Sequence, residues 1–181
     1  MSADVLRPDA VRLGLTATDL TDAIVQCGQV LAGIGAVEPP YVAAMVEREQ
    51  GVSTFVGRGV AIPHGTEAAR QYVRRTAVAV LQFPDGVDWR GDVVSVCVAI
   101  AAAGDEHVGL MSALAQLLLD ERQAEQLRTA TDTGTVLGLL RLDKPATVET
   151  TQPVRVPTAL RRPSSVHGRP EYTRALPLDR Q

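Results

Sequence analysis

The chain has 181 residues, 45% of them hydrophobic and only 3% aromatic, with a mean hydropathy of +0.05, which suits one domain with a sizeable aliphatic core. Its 18 basic and 21 acidic side chains leave a net charge of −3, which argues against nucleic-acid binding as the main task. No apolar run reaches the roughly 18 to 20 residues that span a bilayer. The first residues, Met1-Ser2-Ala3-Asp4-Val5-Leu6-Arg7, lack the basic start and apolar stretch of a secretion signal. A cytoplasmic protein without direct membrane insertion is expected.

In chain order, Thr18 or Asp19 can cap a helix running to about Leu31 or Ala32, closed by Gly33 and Gly35. Pro39 and Pro40 open a second helix to Gln50, ended by Gly51. Along it Tyr41, Ala44, Met45 and Arg48 fall at i, i+3, i+4 and i+7, so an arginine shares the apolar stripe. Such an arginine is normally buried only when paired. Its role is either a structural ion pair or a guanidinium fork for an anion such as a phosphoryl group. Strands follow near 54–56 and 60–62, separated by Gly57 and Gly59, which permit a sharp turn.

Pro63 fixes its own φ and keeps Ile62 extended, so the strand ends on an imposed bend with His64 at its tip. Gly65 is expected to let a bulky partner approach the backbone beside the ring. A histidine held rigidly with space beside it has what a nucleophile needs, although by itself it could equally cap the loop through a backbone hydrogen bond.

Further strands are expected at 76–83, broken by the turn Pro84-Asp85-Gly86, and at 93–101, a long apolar run that reads as the central strand, buried on both faces. Asp105 caps a helix over 106–119, and shorter helices cover 121–130 and a segment from Thr133 or Thr135 to about Leu142. His107 shares a face with Leu110, Met111 and Leu114 and could be a core-edge histidine. It also sits at a helix N-terminus beyond the central strand, where an α/β sheet places its ligand crevice and free N–H groups favour an anion.

Cys27 and Cys97 lie inside apolar patterns and read as small buried hydrophobes, not a disulfide or metal ligands. The alternation implies an α/β fold, a mixed β-sheet flanked by helices, in a single compact domain over 1–144. Residues 1–144 carry 12 basic and 18 acidic side chains, whereas 145–181 carry 6 basic, 3 acidic and six of the 11 prolines. That segment is expected to be a disordered tail, and His167 within it to be without a catalytic part.

The run Ser53-Thr54-Phe55-Val56-Gly57-Arg58-Gly59-Val60-Ala61-Ile62-Pro63-His64-Gly65 resembles the histidine block of the enzyme IIA domains of the mannitol/fructose type. These are phosphocarriers of the bacterial phosphoenolpyruvate-dependent sugar phosphotransferase system. Arg48-Glu49 upstream and Asp105-Glu106-His107 downstream match two satellites in family order, and the resemblance covers roughly residues 4 to 142. It implies that His64 is the phosphorylated nucleophile, accepting the phosphoryl group from phospho-HPr and passing it to a IIB domain of a membrane permease. It also implies that Arg48 and His107 stabilise the phosphoryl group. No metal or other cofactor is expected, since positioning and fixed positive charge supply most of the stabilisation in phosphoryl transfer.

Two other readings are open. The same phosphohistidine could serve a regulatory, nitrogen-type paralogue. More remotely, His64, His107 and an acid such as Glu106 or Glu67 could form a metal-dependent hydrolase, although no short ligand spacing of the H-E-x-x-H kind occurs.

Overall fold

The computed structural model describes residues 5–104 and 106–140, except for the His107 side chain. The Asp105 cap, the 144/145 boundary and the tail with His167 lie outside the described residues.

Five strands form one sheet in the order β1-β4-β5-β3-β2: β1 (Leu6–Arg12), β2 (Phe55–Gly57), β3 (Val60–Ala61), β4 (Ala77–Trp89) and β5 (Asp92–Ala101). β1 runs parallel to β4 and β3 parallel to β5, while β4 with β5 and β2 with β3 are antiparallel. The mixed sheet and the central apolar strand are as expected, with Val96 to Ala101 of β5 all fully buried.

Alternation along β4 and β5 separates the two faces. Ala79, Leu81, Cys97 and Ala99 pack under α1 (Leu20–Gly33) and α2 (Pro40–Gly51). Val78, Val80, Val96, Val98 and Ile100 pack against side chains of α3 (Glu106–Leu119), α4 (Glu121–Arg128) and α5 (Thr133–Leu139). Each large aliphatic side chain so buried contributes about 1.5–3 kcal/mol.

The helices start where short acids can cap them. The carboxylates of Asp19, Asp120 and Asp132 accept N–H bonds at the first turns of α1, α4 and α5. Cys27 and Cys97 are free thiols buried in the core. Burial pushes the Cys97 thiol well up, and the neighbouring Cys27 thiol adds to this.

The structure corrects the expected break at Pro84-Asp85-Gly86. β4 continues to Trp89, and its register with β5 shifts between Gln82 and Val87 before pairing resumes. This irregularity takes up a proline that cannot donate to the ladder, while buried Phe83, Val87 and Trp89 hold the strand in the core. The reversal comes instead at Arg90 and Gly91, both at positive φ (60° and 99°), as a two-residue hairpin of this twist demands. β1 was not expected. Its sequence, with Pro8 and three charged residues, shows no alternation. It is an edge strand whose register shifts between Leu6 and Val11, which is where a sheet tolerates proline.

Candidate functional site

The site is built at the end of β3. Gly57, Arg58 and Gly59 all adopt positive φ (97°, 52° and 73°), reversing the chain between β2 and β3, and Val60 and Ala61 pair with Val96 and Cys97 of β5. Pro63 lies beyond the strand, its carbonyl accepting from the Ile100 N–H at 2.9 Å, and His64 bridges to Ile100 in parallel fashion. The bend therefore stays attached to the central strand.

The half-buried His64 ring donates from Nδ1 to the Ile62 carbonyl at 2.8 Å. A carbonyl can only accept, so Nδ1 carries a proton, and whenever the ring is neutral its lone pair is on Nε2.

Tyr41 of α2 fastens the far side of the bend. Its hydroxyl donates to the Ile100 carbonyl at 2.9 Å and accepts from the Gly65 N–H at 3.0 Å. A Cβ on Gly65 would lie 2.6 Å from Tyr41 Cε2. The close approach that Gly65 permits is thus made by the protein's own tyrosine, while Gly65 also lines the cleft beside the ring. Burial pushes the Tyr41 phenol above its ordinary range, with the Gly65 N–H and the Arg70 charge acting in the opposite direction.

A cleft of about 200 Å³ opens beside the ring, lined by His64, Arg48, Tyr41, Glu67 and Arg70 among others. Arg48 thus reaches the His64 cleft from the last turn of α2, where its Nη1 donates to the Val52 carbonyl at 2.8 Å. Its neighbour Glu49 points the other way and is 1% exposed. The Glu49 carboxylate accepts from the Thr54 N–H at 2.7 Å, the Thr54 hydroxyl at 2.5 Å and Trp89 Nε1 at 3.0 Å, and Arg90 Nε lies 3.7 Å away. The C-terminal turn of α2 is thereby tied both to the β2 approach and to the β4–β5 hairpin.

His107 lies in the first turn of α3, and its side chain is outside the described residues. Glu106 in the same turn accepts a hydrogen bond from the Thr76 hydroxyl. Glu67 and Arg70 stand on a short 3₁₀ turn, Glu67–Tyr72, and pair with each other at 2.9 Å. Among the described residues no three His, Cys, Asp or Glu side chains converge in a way that could hold a metal ion.

Sequence reasoning missed the polar roles of Tyr41, Glu49 and Arg70. Tyr41 and Glu49, with Ala44 and Met45, form the buried face of α2, and a polar group on a buried face must find a partner. That signal was available. Arg70 gave none, because a 3₁₀ turn of six residues is too short to show an apolar stripe in the sequence.

The family described as phosphoenolpyruvate-dependent sugar phosphotransferase system, EIIA 2, matches residues 4–142. A multiphosphoryl transfer protein of Xanthomonas campestris pv. campestris is 41% identical over 168 residues, covering 90% of this chain but only 20% of that protein. The chain therefore spans about a fifth of that relative's length. The mannitol-specific phosphotransferase enzyme IIA component of Staphylococcus aureus is 39% identical over 125 residues, covering 69% of this chain and 87% of that one. Among solved structures, the complex of enzyme IIAMTL and phosphorylated enzyme IIBMTL from Escherichia coli matches with a TM-score of 0.70 at 33% identity. That match covers 75% of this chain and 98% of the matched one.

Proposed function

The chain belongs to the EIIA 2 family of the phosphoenolpyruvate-dependent sugar phosphotransferase system, and we propose that it serves there as a phosphocarrier with His64 as the phosphorylated residue. The observation that carries this reading is the Nδ1 bond to the Ile62 carbonyl, which orients the ring and puts its lone pair on Nε2, in a cleft that Arg48 also lines.

The donor is phospho-HPr. Nε2 of His64 attacks the phosphorus as the donor's P–N bond breaks. The donor ring, protonated on its other nitrogen, leaves as neutral imidazole. The His64 ring takes the positive charge, with Nδ1–H still held by Ile62, so no proton has to move and the transfer is reversible. Arg48 supplies a planar set of donors to the phosphoryl oxygens, and His107 supplies a further donor from the first turn of α3. Transfer of this kind needs charge and positioning more than covalent help.

The acceptor is a IIB domain of a permease in the mannitol or fructose branch, in the cytoplasm. A bound phosphorylated IIB in the Escherichia coli relative and the mannitol-specific name of the Staphylococcus relative support that choice.

Incubating the protein with phosphoenolpyruvate, enzyme I and HPr is expected to add one acid-labile phosphoryl group, and His64→Ala is expected to abolish it. Equal labelling of the variant would overturn the assignment.

A further inference from the structure

We infer that Arg70 is a second guanidinium for the phosphoryl group on His64, occupied by Glu67 until that group arrives. The inference rests on the reading of His64 as the phosphorylated residue. It starts from an arrangement outside the expected Arg48–His64–His107 set. Arg70 lines the same cleft as His64 and Arg48, yet it belongs to a different segment, the 3₁₀ turn Glu67–Tyr72 that follows the histidine by only a few residues.

A 3₁₀ turn has three residues per turn, so residues i and i+3 eclipse one another. Glu67 and Arg70 are such a pair, with Arg70 Nη2 lying 2.9 Å from the Glu67 carboxylate. The Glu67 side chain is 77% exposed and that of Arg70 41%. A pair so accessible to water is weakly held, because the solvent competes with it at little cost. Nothing therefore commits Arg70 to Glu67 once a stronger anion is present.

A phosphoryl group is that anion. It brings two negative charges and three acceptor oxygens, which suit a guanidinium fork better than one solvated carboxylate does. Arg70 lines the cleft together with Tyr41. Its charge acts on the Tyr41 hydroxyl, and that hydroxyl is bonded to the N–H of Gly65, the residue after His64. With Arg48 on α2 and Arg70 on the 3₁₀ turn, the cleft would clasp the phosphoryl group from two independent elements. While His64 is unphosphorylated, Glu67 keeps the cleft from carrying two uncompensated arginines, and it competes with the phosphoryl group for one of them.

Arg70 and Glu67 should thus have opposite effects, which neither a merely structural pair nor a docking residue would give. The wild-type protein, Arg70→Gln, Arg70→Lys and Glu67→Gln would be phosphorylated through phosphoenolpyruvate, enzyme I and HPr. Two quantities would be read: the rate of acceptance and the pH titration of the phosphoryl ³¹P resonance.

Loss of Arg70 is expected to slow acceptance by about tenfold or more and to raise the pH at which the phosphoryl group titrates by about half a unit or more. Glu67→Gln is expected to lower that pH and to speed acceptance, and Arg70→Lys to fall between wild type and Arg70→Gln. If Arg70→Gln accepts too little phosphate to observe, Arg70→Lys and Glu67→Gln still decide the titration.

An unchanged titration in these variants would overturn the inference. This holds even if acceptance slows, since Arg70 would then touch the donor protein and not the phosphoryl group. A wild-type protein that takes up no phosphate would instead overturn the phosphocarrier reading itself.

Discussion

Arg48 and His107 differ from His64 in what they are asked to do. In the proposed transfer neither forms a bond to phosphorus, so replacing either by alanine is expected to leave a folded protein that transfers phosphate slowly. Lost charge-assisted contacts of about 2–4 kcal/mol correspond to rates lower by roughly one and a half to three decades. Single-turnover transfer from phospho-HPr would measure this. A wild-type rate for His107→Ala would make its place in the first turn of α3 merely structural. The histidine block was legible at this scale because its chemistry is local: proline sets the bend, and glycines set the turn before it. Tyr41 was legible only as an apolar member of the α2 stripe. Its hydroxyl joins Ile100 to Gly65, a link between segments far apart in the chain that no spacing rule can express.

α2, which carries Arg48 and Tyr41, is tied to two other parts of the fold by one buried carboxylate. Glu49 holds Thr54 and Trp89, and Arg90 lies beside it. α2, the approach to β2 and the β4–β5 hairpin thus meet at a single group. Glu49→Ala would leave two N–H groups and a hydroxyl buried without their acceptor, and it is expected to cost about 3–5 kcal/mol. Trp89 is the chain's single tryptophan and is 1% exposed, so it reports the change directly. The melting temperature should fall and the indole emission shift to the red. An unshifted emission with unchanged melting would show that the hairpin is held by packing alone.

Helices were legible in the sequence because their caps and apolar stripes are strong signals, and the structure reproduces α3 over 106–119. β4 and β1 were less so, for different reasons. In β4 the burial of Phe83, Val87 and Trp89 outweighs the turn preference of Pro84-Asp85-Gly86. In β1 the edge position relaxes the demand for alternation that would have revealed the strand.

For the whole molecule, the matched family region ends at residue 142, and the composition changes just beyond it, with six of the 11 prolines and a reversed charge balance after residue 144. We propose that residues 1–144 suffice for phosphotransfer. A chain ending at Lys144 is expected to keep both melting temperature and phosphorylation rate, and a large loss of thermal stability would show that the boundary lies elsewhere. Any contact between the tail's arginines and an acidic partner would be strongest at low salt, where binding to a IIB domain should be compared. The atom that carries the phosphoryl group decides the proposed mechanism. In protein labelled with ¹⁵N-histidine and phosphorylated through HPr, NMR is expected to place phosphorus on Nε2 of His64, with the proton retained on Nδ1. Phosphorus on Nδ1 of His64, or on another histidine, would contradict the account.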